Sequence, residues 1–130
     1  MAFEVATTAA IDVVDITDQV SATLPDEFTG SCTVFVPHTT AGITINENES
    51  GLLADIEEML RTVVADGEDY EHDRIDDNAS AHLRSILLGS DVTVPVTNGS
   101  LALGTWQSIL MVEADGPRKR RVLVQPASSG

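Results

Sequence analysis

The chain contains three histidines, His38 in "PHTTAG", His72 in "YEHD" and His82 in "SAHL". Three imidazoles that leave one coordination position open form a catalytic zinc centre, and the same groups without a metal act as general acids, bases or hydrogen-bond donors. No two of them lie four residues apart on one helix, so spacing alone does not choose between a metal set and an acid–base set. Carboxylates accompany them at Glu47, Glu49, Asp55, Glu71 and Asp73. Asp55 adjoins Ile56 at the margin of an apolar helical stripe, a more pointed position than the open face that carries Glu57 and Glu58. At the far end of the chain "PRKRR", residues 117–121, holds four of the seven basic residues. In so acidic a chain that cluster is a candidate anion site, because guanidinium forks match phosphate oxygens.

These residues need elements to hold them. "FEVATT" and "AIDVVD" read as strands, and "TDQVSATL" as a short helix with Thr17 as its N-cap. "SCTVFVP" and "AGITIN" read as two further strands, with "HTT" between them. The even positions from His38 to Asn48 (His38, Thr40, Gly42, Thr44, Asn46, Asn48) are polar or bare and uncharged. In an acidic chain that texture marks a pocket wall or a subunit interface, where directional contacts are wanted without the desolvation cost of ions.

The clearest helical period covers about residues 50–65, with Leu52, Leu53, Ile56, Met59, Leu60, Val63 and Val64 on one face, Asn48 or Ser50 as cap and Gly67 beyond its end. A second helix is expected over Ala79–Leu88, capped by Asn78 or Ser80, with Leu83, Ile86 and Leu87 facing the core and Gly89 ending it. "DVTVPVT" and "SLALGT" flank Asn98-Gly99, the residue pair of a type I′ hairpin turn. Pro95 cannot donate a ladder bond, which places it at an edge or a bulge. "WQSILMVE" and "RRVLVQ" complete the strands, with Trp106 read as a core residue first and a pocket wall second. Strands outnumber helices and run largely in succession. The expected fold class is therefore α+β, with a largely antiparallel core and two or three flanking helices.

Length and charge bound the rest. At 130 residues the chain is read as one domain, 1–130, with residues 126–130 as a frayed tail. Its 21 acids against 7 bases give a net charge of −14, which repels nucleic acid and anionic membranes and suits a salt-rich cytoplasm. No apolar run is long enough to span a bilayer and no signal peptide is read, so a cytoplasmic location is expected. Cys32 is the only cysteine and reads as a small buried hydrophobe.

"HTTAGITINENE", "YEHD", "AHLRSILLGS", "PVTNGSLALGTWQ" and "DGPRKRRVLV" together resemble the YjbQ family, described as secondary thiamine-phosphate synthases, over about residues 30–125. The resemblance implies an α+β fold with a β-sandwich-like core, a homotrimer, and a polar cleft between subunits. The positions that fall on the family's motifs are His38, His72, His82, Glu47, Asn48, Asp55, Arg120 and Arg121. The implied reaction joins hydroxymethylpyrimidine diphosphate to thiazole phosphate and releases pyrophosphate. His38, His72, His82, Asp55 and Glu47 are then the catalytic candidates, and Thr40, Asn48, Arg118, Arg120 and Arg121 the substrate-binding ones. A divalent ion, zinc or magnesium, held by the histidines or by Asp55 or Glu47, would assist the leaving pyrophosphate. Two other functions fit the same residues: a metal-dependent hydrolase using His38, His72 and His82, and a non-catalytic trimeric binding module for a small anion.

Overall fold

The computed structural model describes residues 1–129. Its elements in chain order are β1 (Ala2–Ala6), β2 (Asp12–Asp15), α1 (Thr17–Thr23), β3 (Gly30–Phe35), β4 (Ala41–Asn46), α2 (Ser50–Val63), a 3-10 turn (Glu71–Arg74), α3 (Ala79–Leu88), β5 (Asp91–Thr97), β6 (Ser100–Leu101), β7 (Ser108–Glu113) and β8 (Lys119–Ser128). The strands form a five-stranded sheet, β1-β8-β3-β5-β6, and a three-stranded sheet, β2-β7-β4. Every pairing is antiparallel. The fold is α+β with a sandwich-like core.

The core follows from strand alternation. Cys32 and Val34 of β3, Val94 and Val96 of β5, and Val122 and Val124 of β8 point inward from the larger sheet, and Ile43, Ile109 and Met111 meet them from the smaller one. Each fully buried Val, Ile or Met contributes about 1.5–3 kcal/mol of hydrophobic stabilisation. β7 reads as a continuous apolar run because its sheet is covered twice. Ile109 and Met111 face the sandwich core, whereas Val112 joins Ile11 and Leu60 beneath α2.

Asn98 and Gly99 both have positive φ, 48° and 80°, as a type I′ turn requires. Pro95 sits inside β5 just beyond its pairing with β6 at Val96 and Thr97; its carbonyl still accepts the Ala102 N–H at 2.8 Å, and its missing N–H ends the ladder there.

Several expectations are corrected. The expected tail is strand as far as Ser128, because β8 pairs there with Gly30, Ser31 and Cys32; Gly130 lies outside the described residues. Trp106 is 73% exposed, since β7 begins only at Ser108. Thr17 does not cap α1; its hydroxyl donates to Asp15 Oδ1 at 2.6 Å and accepts from the Ile109 N–H at 2.9 Å. The cap of α2 is neither Asn48 nor Ser50 but Glu49, whose carboxylate accepts from the N–H groups of Gly51 (2.6 Å) and Leu52 (2.9 Å). Those bonds hold the Glu49 carboxyl below its usual range.

The apolar stripes of both helices are also less buried than their periodicity implies. On α2 only Leu60 is fully buried, while Met59 and Val63 are exposed. On α3 the expected core residues Leu83, Ile86 and Leu87 are all exposed, and the inward face is Ala79, Ser80, Ala81, Arg84 and Ser85. The reason is close approach. A Cβ on Gly42 of β4 would lie 2.5 Å from Leu88 Cβ, so α3 ends almost in contact with the strand and has room only for small or hydrogen-bonded side chains beneath it. No helix among the described residues is long and apolar enough to cross a membrane.

Candidate functional site

α3 carries His82, and buried polar bonds set its position. Arg84 is 2% exposed, and its guanidinium closes the end of α2 by donating to Leu60 O (Nε, 3.2 Å) and to Val64 O (Nε, 3.2 Å; Nη2, 2.7 Å). A cation there satisfies orphan carbonyls and opposes the negative end of the helix dipole. Ser80 donates to Asp66 Oδ1 at 2.6 Å, and this bond, with Arg84 alongside, holds the Asp66 carboxyl below its usual range. Ser85 donates to Ala41 O at 2.7 Å and ties α3 to the start of β4.

Facing α3 is the segment between β3 and β4 that carries His38 and Thr40. It is held by a buried ion pair. Glu113, at the end of β7, is fully buried, and Arg120 of β8 is 5% exposed. Arg120 grips the carboxylate with two N–H groups, Nε to Oε1 at 2.8 Å and Nη2 to Oε2. Nη2 also donates to Thr40 Oγ1 at 2.8 Å and to Thr40 O at 3.2 Å. The buried hydroxyl of Thr7 donates to Glu113 Oε1 at 2.9 Å, and the Asp115 N–H donates to Oε2 at 3.0 Å. Burial pushes the Glu113 carboxyl up, but the bonds from Arg120, Asp115 and Thr7 outweigh it and hold the group below its usual range.

His38 sits against this pair. Its Nε2 accepts the backbone N–H of Arg121 at 2.9 Å. Partial burial and the Arg120 charge hold its pKa below the ordinary imidazole value, with Glu113 opposing them. His38 is therefore neutral at physiological pH, with its proton on Nδ1.

His72 lies in the 3-10 turn, and its Nε2 bonds Asn78 Oδ1 at 3.0 Å. Asn78 in turn donates from Nδ2 to Asp115 Oδ2 at 2.9 Å, which fixes the amide's orientation and leaves the proton of His72 on Nε2. The rings of His72 and His82 meet edge to face, with centroids 4.6 Å apart and planes at 72°.

Three adjoining depressions gather these groups. The polar one, about 440 Å³, is lined among others by His38, Thr40, Asn78, His82, Asp115 and Arg118. A more apolar one, about 640 Å³, runs past His38 and His82 to Phe35 and Ile86. The third, about 350 Å³, lies between Tyr70, His72, His82 and Leu83. His82 borders all three.

The other expected site residues are placed differently. Arg120 commits its Nε and Nη2 to Glu113 and Thr40, so only the remainder of its guanidinium borders the polar depression. Arg121 reaches the site through its backbone alone. Arg118 is the exposed guanidinium on the polar wall, steered by Asp115 (Nε to the carbonyl at 2.8 Å, Nη2 to Oδ2 at 3.0 Å). Glu47 and Asn48 lie at the opposite end of β4, which at about 3.4 Å per residue puts Asn46 about 17 Å along the strand from Ala41. The Asn48 amide donates to Asp15 at 3.1 Å, and Asp55 is exposed on α2 and lines none of the three depressions.

The three-histidine metal set does not form within one chain. Among the described residues no group of three or more His, Cys, Asp or Glu side chains is placed to hold an ion. Nε2 of His38 and Nε2 of His72 are each committed to a protein partner.

Glu113, Thr7, Asn78 and Asp115 were not among the expected site residues. Glu113 had a sequence signal: an acid that directly follows the apolar run "ILMV" on a strand is carried into the interior with it. Asn78 and Asp115 had none, since their partners are distant in the chain.

A UPF0047 protein of Archaeoglobus fulgidus is 51% identical over 119 residues, which are 92% of this chain and 94% of that protein. The UPF0047 protein YugU of Bacillus subtilis is 36% identical over 127 residues, 94% of each chain. The crystal structure of a hypothetical protein from Aeropyrum pernix K1 superposes with a TM-score of 0.95 at 40% identity, over 99% of this chain and 98% of that one. The family model described as "UPF0047 protein YjbQ-like" matches residues 1–129, and the chain belongs to that family.

Proposed function

We propose that the cleft between the His38 segment and α3 binds a small phosphorylated substrate and carries out a thiamine-phosphate synthase-type transfer in the cytoplasm. In that reaction the C–O bond to the diphosphate of hydroxymethylpyrimidine diphosphate breaks. The thiazole nitrogen supplies the electron pair of the new C–N bond, and pyrophosphate leaves. No proton has to be removed, so the site needs donors at the departing oxygens rather than a base. The observation that carries the reading is the polar depression in which the neutral His38 ring, His82 and the Arg118 guanidinium share one wall system. Asp76 and Asp115 on the same walls would favour the cationic pyrimidine fragment.

A homotrimer is part of the proposal. Ile75 (88% exposed), Ile86 (74%), Val63 (64%) and Leu87 (59%) form apolar surface that one chain leaves in water, which supports assembly. In an assembly, Glu47, Asn48 and Asp55 of one copy would be free to complete the cleft of another.

The test is to incubate the purified protein with both precursors and to measure thiamine phosphate and pyrophosphate. Equal amounts of the two, lost in His82→Ala with the assembly intact, are expected. Binding of either precursor with no product above a heat-denatured control would overturn the transferase and leave the binding module. Phosphate release without coupling would favour the hydrolase.

A further inference from the structure

We infer that the buried Glu113–Arg120 pair is a positioning device that locks His38 as an Nδ1–H donor toward the cleft. The inference deepens the proposed use of His38 but stands on hydrogen-bond geometry within the protein.

A backbone N–H can only donate, so the 2.9 Å bond from the Arg121 N–H requires a lone pair on His38 Nε2. The neutral ring then carries its proton on Nδ1. The source of that N–H lies in the sheet. β3 and β8 pair as far as Phe35 opposite Leu123. Two residues further the register would set Arg121 opposite Pro37, but β3 has already ended. Val124, on the alternate parity of β8, sends its N–H the other way, to Met1 O on the β1 side. The Arg121 N–H thus points to the side that β3 has vacated, and the imidazole takes the place of the missing ladder carbonyl.

Arg120 secures both halves of this arrangement. It is the residue next to the donor, and its guanidinium bonds Thr40, two residues beyond His38, through both side chain and carbonyl. Glu113 fixes the guanidinium in turn, supported by Thr7 and the Asp115 N–H. The pair therefore clamps the β8 backbone and the 38–40 segment at a set separation. In this role Arg120 and Glu113 act through His38 rather than on a ligand directly.

The experiment is a long-range 15N–1H correlation spectrum of intact protein labelled at histidine, at neutral pH, with the His38 signals assigned by their absence in His38→Gln. Wild type is expected to show His38 protonated at Nδ1 and bare at Nε2. Arg120→Met leaves a buried carboxylate unpaired and is prone to misfold, so the double variant Glu113→Gln/Arg120→Met serves beside it. In the folded double variant His38 is expected to lose the single-tautomer pattern for the mixture of an unrestrained imidazole, and the Arg121 amide to lose exchange protection. A wild-type His38 protonated at Nε2 overturns the lock. An unchanged tautomer in the folded double variant overturns the positioning role. Neither result depends on whether thiamine phosphate is made.

Discussion

Removing Arg120 alone should damage this protein far more than removing the whole ion pair. In Arg120→Met the Glu113 carboxylate stays fully buried and keeps only the Thr7 hydroxyl and the Asp115 N–H as donors. Breaking a buried pair from one side costs about 3–5 kcal/mol. For a domain of this size total stability is about 5–15 kcal/mol, so the loss is a large fraction of it. The double variant Glu113→Gln/Arg120→Met removes both charges; the introduced amide oxygen can still accept from the Asp115 N–H, and its NH2 can donate to the Thr7 hydroxyl. It should lie within about 2 kcal/mol of wild type, since uncharged replacements of buried pairs are often nearly neutral. The cycle then yields a coupling of about 1–3 kcal/mol or more.

The assay is urea unfolding at one fixed protein concentration, because an assembly would otherwise shift the midpoint by mass action. The pH dependence gives a second readout. In wild type the folded pKa of Glu113 is depressed, so its contribution is complete above the usual glutamate range and is lost as pH falls through the lower folded value. In Arg120→Met burial acts without the cation, the folded pKa rises above the unfolded one, and acidification from neutrality should narrow the gap to wild type. An unchanged midpoint in Arg120→Met, or a double variant as unstable as the sum of the singles, would refute the reasoning.

Three other outcomes are expected. Arg84→Met strips the end of α2 of its guanidinium and leaves the Leu60 and Val64 carbonyls without that partner; it should cost about 2–4 kcal/mol by denaturation, with faster amide exchange in the last turn of α2. Gly42→Ala places a methyl against Leu88 and Gly89 O, 2.5 and 2.8 Å away, which should cost about 1–3 kcal/mol and weaken ligand binding by displacing α3 with His82. The paired change Ile86→Glu and Leu87→Glu falls on exposed positions, so a lone chain should lose no more than about 0.5 kcal/mol per site. If that face joins copies, light scattering will show the assembly reduced to monomer, and an unchanged mass would exclude it.

Local patterns were enough for the strands and for the existence of α2 and α3. Alternation in "SCTVF" and "RRVLV", the helical period after residue 50, and Asn98-Gly99 each act over a few neighbours, and neighbours are all that such patterns need. The five motifs that carry the family resemblance are likewise linear. The direction in which the helices face was not available in the same way. Periodicity turned Leu83, Ile86 and Leu87 inward, but the inward side of α3 belongs to Ala81, Arg84 and Ser85: Gly42 brings the strand close to the end of α3, and the side chains beneath the helix are small or, as with Arg84, held by hydrogen bonds. Periodicity records that a helix has an apolar side; it does not record whether its own chain covers that side.

The site divides along the same line. His38, His82 and Arg118 were identifiable by type and neighbourhood, and the fold brings them to one cleft. Arg120 had the same credentials as Arg118, yet Arg120 lies within β8 and turns inward to meet Glu113, while Arg118 precedes the strand and stays exposed beside Asp115. Sequence alone thus determined which residues are equipped for chemistry. Only the tertiary structure decided which of their atoms remain available for it, because a donor or lone pair already committed to a protein partner is withdrawn from a ligand.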